Sequence, residues 1–273
     1  MSDRSEPESY LLGDQKGSYL RYRLFNEIYE PGTIRRLSDL AVSPDMEILD
    51  IGCGIGDTAC YFARHIVPDG HVTAFDQAPE LIEVARRQAA EHEIGNVTFI
   101  CASAQEFPFP TERFDFAHTR YVLTYLSQAV EVLKETHRAL KPSGFFLGEE
   151  IAQTYIRHGR AGWYDQLIAW FTKLIETGGG DPDYGHNGLP SDLLDAGFTD
   201  LDVSAFWPFE DQQKIVDMLR IALSSEMKET IVSMGLAAEE VVEAVIAELA
   251  MPQRDYRISP SMCVQVVGWK RPV

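Results

Sequence analysis

Ile48-Leu49-Asp50-Ile51-Gly52-Cys53-Gly54-Ile55-Gly56-Asp57 decides the fold, because an apolar run ending in an acid enters a glycine-rich turn and then a helical stretch. Glycines at 52, 54 and 56 allow positive φ and let a ligand come close to the backbone, since no Cβ stands in the way. Such a turn holds a nucleoside cofactor. A dinucleotide site reads G-x-G-x-x-G, with its third glycine at position 57 and a helix N-terminus facing the pyrophosphate. Position 57 is Asp instead, and Asp50 stands two residues before the first glycine. Two carboxylates repel a pyrophosphate but suit a ligand with an ammonium, a sulfonium and no phosphate. The residues point to S-adenosylmethionine.

The flanking sequence continues in strand and helix alternation. Val72-Thr73-Ala74-Phe75-Asp76 is a β-rich run whose final acid is placed to accept both ribose hydroxyls. Gln77-Ala78-Pro79-Glu80 opens a helix, with Pro in its first turn. Val97 to Cys101 reads as a third strand, followed by Ala102-Ser103-Ala104-Gln105-Glu106-Phe107-Pro108-Phe109. Arg113 to His118 makes the fourth strand and Thr119 to Leu126 follow it. Ala139-Leu140-Lys141-Pro142-Ser143-Gly144 precedes the fifth, Phe145 to Ile151.

These stretches, in this order, resemble the class I S-adenosylmethionine-dependent methyltransferases, and in particular a bacterial small-molecule subgroup, over roughly residues 10 to 152. The resemblance implies an α/β fold: a Rossmann-like three-layer sandwich with a seven-stranded, mostly parallel sheet, an antiparallel last strand and a helical cap. It assigns cofactor contacts to Asp50, Gly52, Cys53, Gly54 and Gly56 in the turn, to Asp76 and Gln77 at the ribose, and to Ser103, Ala104 and Gln105 at the adenine. Arg120 and Tyr121 fall at the methionine end. Ser103 stands where the family usually has an aspartate for the adenine amino group, so that contact loses its charge assistance. Tyr10-Leu11-Leu12-Gly13, then Arg21 and Tyr22 before Tyr29-Glu30-Pro31, resembles the lead-in of a subgroup that closes an aromatic residue and an arginine over the methionine moiety. That resemblance adds Tyr10 to the contacts and gives the cofactor carboxylate to Arg21 or Arg120. Arg21 also reads as a surface ion pair on an acidic protein.

The chain divides into a helical lead-in at 1–42, a cofactor-binding core at 43–152, and a part at 153–273 that completes the sheet, all in a single domain. In the lead-in, Tyr19, Tyr22, Leu24, Phe25 and Ile28 form an apolar stripe, and Pro31-Gly32 is expected to break it before a second short helix. Helical spacing marks 160–177, 211–234 and 237–250, with strands at 201–206 and 262–270. The insertions at about 155–185 and 208–258 form a cap that excludes water from a reactive sulfonium. Their apolar residues predict a small, largely apolar acceptor methylated at O, N or C.

A net charge of −18, from 24 Lys plus Arg against 42 Asp plus Glu, argues against a nucleic-acid partner. No apolar run reaches about 18 residues and the start lacks a leader pattern, so a cytoplasmic location without membrane partners is expected. The four cysteines show neither C-x-x-C nor zinc-finger spacing, so no metal is expected. The protein is expected as a monomer or homodimer. Transfer from a sulfonium needs alignment and desolvation, and a hydroxyl or carbon acceptor also needs a base. His118 and His186 are the catalytic candidates, with His158, Tyr121, Glu149 and Glu150 behind them. Two other functions fit the same sequence: a cofactor-binding cyclase or rearrangement enzyme that transfers no methyl group, and, if the turn is misread, an NAD(P)-dependent oxidoreductase.

Overall fold

A computed structural model describes residues 16–106, 109–159, 161–209, 211–252 and 256–272. Helix α1 (Lys16–Ser38) leads into β1 (Glu47–Ile51), α2 (Asp57–Tyr61), β2 (His71–Asp76), α3 (Pro79–Glu91), β3 (Val97–Cys101) and β4 (Phe114–Arg120). Next come α4 (Ala129–Ala139) and the long β5 (Leu140–Ala152). After these the chain forms β6 (Arg157–Gly159), α5 (Gly162–Thr177), α6 (Tyr184–Asn187), α7 (Leu189–Asp195) and β7 (Thr199–Phe206). Three helices, α8 (Gln212–Ala222), α9 (Lys228–Ser233) and α10 (Glu239–Ala250), then lead to β8 (Tyr256–Ile258) and β9 (Met262–Trp269).

Seven strands form one sheet in the order β3-β2-β1-β4-β5-β9-β7. Pairs within β3 to β5 are parallel, and β9 runs antiparallel to both β5 and β7. The antiparallel strand expected last is therefore wedged inside the sheet. Period-two alternation divides the strand residues between two cores. Leu49, Ile51, Ala117 and Phe146 pack toward α4 and α7, while Ile48, Phe116 and Leu147 pack toward α2 and α3. A separate apolar cluster joins α1, α5, α8 and α10 through Ile28, Tyr29, Leu167, Ile215 and Val245. Strands β6 and β8, which carry no sequence signal of their own, pair antiparallel beside it.

One boundary differs from the expectation. Helix α1 continues through Pro31 and Gly32 instead of breaking there. A proline inside a helix costs about 3 kcal/mol, so tertiary contacts must outweigh it. They flank it closely: the Tyr29 hydroxyl donates to the Ser261 carbonyl at 2.9 Å and Thr33 Oγ1 donates to Glu149 at 2.7 Å. Gly32 faces the Phe206 ring so tightly that a Cβ there would stand 2.4 Å from it. The sequence between 211 and 234 is one helical run, with a π-helical turn at Leu223–Met227 between α8 and α9.

Candidate functional site

The direction of chain progression reverses between β1 and β4, and the crevice at the carboxyl ends of these strands opens into a cavity of about 410 Å³. That is where ligands of open parallel sheets bind, and the volume suits a drug-sized molecule. The glycine turn forms its floor. Gly52 N and Cys53 N donate to the Phe75 carbonyl at 2.9 Å, which ties the turn to β2. Gly52, Gly54 and Gly56 all have positive φ, at 69°, 54° and 82°. Their duties differ. A Cβ on Gly54 would have only the Tyr22 ring near it, at 3.8 Å, so this residue leaves its space to the cavity. A Cβ on Gly56 would meet Ala85 at 2.7 Å and Phe99 at 2.8 Å; Gly56 lets helix and sheet close together and lies outside the lining.

Asp76 ends β2 almost fully buried. Its Oδ2 accepts from Gly54 N and its Oδ1 from Ala78 N, both at 3.0 Å, which leaves each oxygen a lone pair for a further donor. Burial raises this carboxyl, against the pull of the two backbone N–H groups. Gln77, Ala102, Ser103, Ala104 and Gln105 continue the same wall. Ser103 Oγ accepts from Gln105 N at 3.2 Å and so closes the short turn at Ala104–Glu106. Cys53 also lines the cavity. Burial, then the nearby Asp50 and Asp76, push its thiol well above the usual range, which removes it as a nucleophile.

The opposite wall carries a polar ladder across the sheet. Asp50 pairs with His118 in the β1–β4 register, and Glu149 with Gln265 in the β5–β9 register. His118 Nδ1 lies 2.8 Å from Asp50 Oδ1, and its Nε2 lies 2.8 Å from Glu149 Oε2. Gln265 Nε2 donates to Glu149 Oε1 at 2.6 Å, and Ser204 Oγ donates to Gln265 Oε1 at 3.4 Å. Burial opposes a charge on His118, yet the bonds to Asp50 and Glu149 outweigh it and hold the imidazole above its ordinary range. Glu149 is held below its own, against burial, by the same pairing. Asp50 Oδ2, also buried, has no hydrogen-bond partner among the described residues. An unsatisfied carboxylate oxygen in a cavity wall is a binding group for a cationic donor.

The two arginines take different places. Arg120 extends from β4 and donates to Thr33 Oγ1 at 2.9 Å, to Thr58 Oγ1 at 2.8 Å and to Asn26 Oδ1. Arg21 is buried, its Nε donates to Glu226 at 2.8 Å, and its Nη2 has no hydrogen-bond partner among the described residues. It is therefore not on the surface. Tyr121 has φ 56°, a left-handed conformation that costs a non-glycine residue about 1–2 kcal/mol. The following turn is held in place by Glu150, whose carboxylate accepts from Val122 N, Leu123 N and Thr124 N at 2.8–3.2 Å. Burial pushes Glu150 up to about 7 against the pull of those N–H groups.

The described cavity thus brings together Arg21, Asp50, Gly52, Cys53, Gly54, Asp76, Gln77, Ser103, Ala104, Gln105, His118, Arg120 and Tyr121. His186 does not join them: it is exposed on α6 and faces Asp183 Oδ1 at 3.0 Å. His158 is exposed on β6. Tyr10 lies outside the described residues. Asp57 turns away from this cavity and accepts from Asn26 Nδ2 at 2.9 Å. Sequence reasoning did not single out Asn26, Thr58, Thr177 or Gly178, all of which line the cavity. Asn26 was within reach, because Arg21, Tyr22, Phe25 and Asn26 follow the i, i+1, i+4, i+5 spacing of one helix face. Among the described residues, 155–185 reaches the cavity through Thr177 and Gly178, whereas 208–258 adds no lining side chain and touches it through the Arg21–Glu226 pair. No described helix is long and apolar enough to cross a membrane.

Residues 48–144 match a family model described as a methyltransferase domain. The demethylmenaquinone methyltransferase of Listeria monocytogenes is 31% identical over 136 residues, 50% of this chain and 56% of that protein. The chain thus spans about half the length of the curated relatives it matches. The YcgJ protein of Bacillus subtilis superposes with a TM-score of 0.62 at 18% identity, covering 89% of this chain and 100% of that one. Haemonchus contortus phosphoethanolamine N-methyltransferase 2, solved in complex with S-adenosyl-L-methionine, gives 0.63 at 14% identity over 97% of this chain and 59% of its own. Taken with the ordered motifs and the wedged antiparallel strand, these matches show the class I methyltransferase fold, with a methyltransferase domain over residues 48–144.

Proposed function

We propose that this protein transfers a methyl group from S-adenosylmethionine to a small, largely apolar acceptor at oxygen, nitrogen or carbon. The observation that carries the reading is Asp50 Oδ2, a buried carboxylate oxygen with no hydrogen-bond partner among the described residues, in the wall of a cavity floored by the glycine turn. An ammonium satisfies it; a pyrophosphate does not. When bound, S-adenosylmethionine supplies an electrophilic methyl group on a sulfonium.

The chain's own residues bind, orient and dry the reactants. Asp76 offers one lone pair on each carboxylate oxygen to the two ribose hydroxyls. Gln77 and the Ala102–Gln105 wall flank the adenosine end, and Asp50 takes the ammonium. Arg120 stands beside Thr58 in the first turn of α2, where a carboxylate gains both charge pairing and the helix N-terminus. Tyr22, Phe25, Tyr121, Tyr125 and Leu126 form an apolar and aromatic wall that excludes water and suits an apolar acceptor. The name of the Listeria relative, a demethylmenaquinone methyltransferase, agrees with such an acceptor. Both ring nitrogens of His118 are committed to carboxylates, so alignment and desolvation carry the rate instead of a histidine base.

Incubation with methyl-labelled S-adenosylmethionine and a metabolite extract tests the reading. Label recovered in a solvent-extractable small molecule supports methyl transfer. Tight cofactor retention without transfer would replace it by a non-methylating cyclase or rearrangement enzyme. Absence of cofactor binding would overturn both.

A further inference from the structure

We propose that His118 is the positioning residue of the cofactor site, holding Asp50 so that its second oxygen faces the methionyl ammonium; this rests on the reading of the cavity as an S-adenosylmethionine site. Each ring nitrogen of His118 lies 2.8 Å from a carboxylate oxygen, and an ionised carboxylate only accepts. Both contacts are satisfied together when the ring carries a proton on each nitrogen, giving one N–H for Asp50 Oδ1 and one for Glu149 Oε2. The ring has no freedom to turn. It is buried with an edge against Phe62 at 5.1 Å between centroids, and Glu149 is fixed in turn by Thr33 Oγ1 and Gln265 Nε2.

The consequence falls on Asp50. Its Oδ1 is taken by His118 Nδ1, which sets the plane of the carboxylate, and its Oδ2 is left buried and unpartnered among the described residues while the residue lines the cavity. A buried carboxylate with no anchor would turn either oxygen toward whichever donor it could find, because an unpartnered polar atom costs free energy. Anchoring one oxygen from β4 leaves the other as a preorganised acceptor. The charged groups bonded to the ring come from the strands on either side, Asp50 of β1 and Glu149 of β5; Arg120 of its own strand connects to Glu149 through Thr33 of α1. The ligand's ammonium then meets a carboxylate oxygen that is already oriented. This role differs from that of a proton acceptor.

Two substitutions separate the two ring contacts. His118→Asn places an amide near Nδ1 and keeps donation to Asp50; His118→Gln places it near Nε2 and keeps donation to Glu149. The probes are S-adenosylhomocysteine, which carries the ammonium, and 5′-methylthioadenosine, which lacks the whole amino-acid end. Calorimetry of both ligands against wild type, His118→Asn, His118→Gln and Asp50→Asn reads the preference for the ammonium-bearing ligand. We expect His118→Gln and Asp50→Asn to lose about tenfold or more of that preference while 5′-methylthioadenosine affinity stays within about twofold, and His118→Asn to retain it. Equal losses for the two ligands, an unchanged preference in His118→Gln, or failure of His118→Asn to retain it where His118→Gln does, would overturn the positioning role. If His118→Gln fails to fold, the Asp50→Asn and His118→Asn pair decides alone, by the same ratio. Wild type that binds neither ligand would overturn the cofactor reading itself, and the positioning role with it.

Discussion

Replacing Asp76 by Ala tests the ribose end of the cavity, and the structure sets two separate effects. Asp76 is 5% exposed, lines the cavity and accepts from Gly54 N and Ala78 N at 3.0 Å, which leaves one lone pair on each carboxylate oxygen. A hydrogen bond to a charged group contributes about 1.5–3 kcal/mol, so loss of even one ribose contact weakens binding by roughly tenfold to over a hundredfold. The second effect is on the fold. Removing the carboxylate leaves two backbone N–H groups of the glycine turn and of the α3 start without their acceptor, at about 1–3 kcal/mol each where water does not replace it. For a chain of this size each kcal/mol lowers Tm by about 2–4 °C, so a drop of several degrees is expected alongside the binding loss. Calorimetry with S-adenosylhomocysteine measures the first effect and thermal unfolding without ligand the second. An Asp76→Ala protein whose S-adenosylhomocysteine affinity equals that of wild type would refute the assignment of this wall to the ribose, whatever happened to Tm.

Gly54→Val should abolish cofactor binding, because φ is 54° there and the space beyond is open to the cavity; a variant that still binds would mark the turn as structural only. Gly56→Ala should instead lower Tm, since its Cβ would stand 2.7 Å from Ala85 and 2.8 Å from Phe99, and a protein as stable as wild type would refute the packing argument. The stability of wild type relative to His118→Gln should depend on pH with a plateau. His118 stands above its ordinary 6.5, so its contribution is complete below that value and is lost as pH rises through the folded pKa; Glu149 stands below its ordinary 4.5, so its contribution is complete above that value and is lost as pH falls through the folded pKa. Denaturant titrations should therefore show the largest difference between about pH 4.5 and 6.5, and a difference that does not vary with pH would count against the buried ion pairs. Thermal-shift titration should give stabilisation by S-adenosylmethionine and S-adenosylhomocysteine and none by NAD or NADP, as mass action requires of a ligand selective for the native state; stabilisation by a dinucleotide alone would restore the oxidoreductase reading.

Local signals carried most of the architecture. The five strands of the core each announced themselves as short β-rich runs, and the helices of the carboxyl-terminal part followed their apolar spacing to within a few residues of the ends. Helix α1 defeated the same kind of reading at Pro31, because the bonds of Tyr29 and Thr33 that outweigh the proline are made with Ser261 and Glu149, far along the chain. Strands β6 and β8 were illegible for a related reason: each has three residues, and each exists only against the other, about a hundred positions away. In the site, the glycine turn and the acid at the end of β2 could be read because strand, turn and helix occur there in uninterrupted sequence. The contribution of α5 could not, since Thr177 and Gly178 are brought to the cavity by tertiary packing of that helix with α1, α8 and α10.

His118 shows the limit most sharply, and the reason lies in strand register. Taken alone, a histidine near the end of a strand that borders a cofactor reads as a proton acceptor, and nothing next to it in sequence argues otherwise. Its partners stand 68 and 31 residues away, in β1 and β5. Parallel pairing sets Asp50 directly opposite His118, and pairs His118 with Leu147, so Glu149 two residues on points to the same face. Antiparallel pairing then sets Gln265 opposite Glu149. A slip of one residue in either parallel pairing would send one carboxylate to the opposite core and leave the imidazole with a single partner. The chemistry available to His118 therefore follows from how four strands are aligned, and that alignment removes the free lone pair a general base requires while giving Asp50 a fixed orientation toward the cavity.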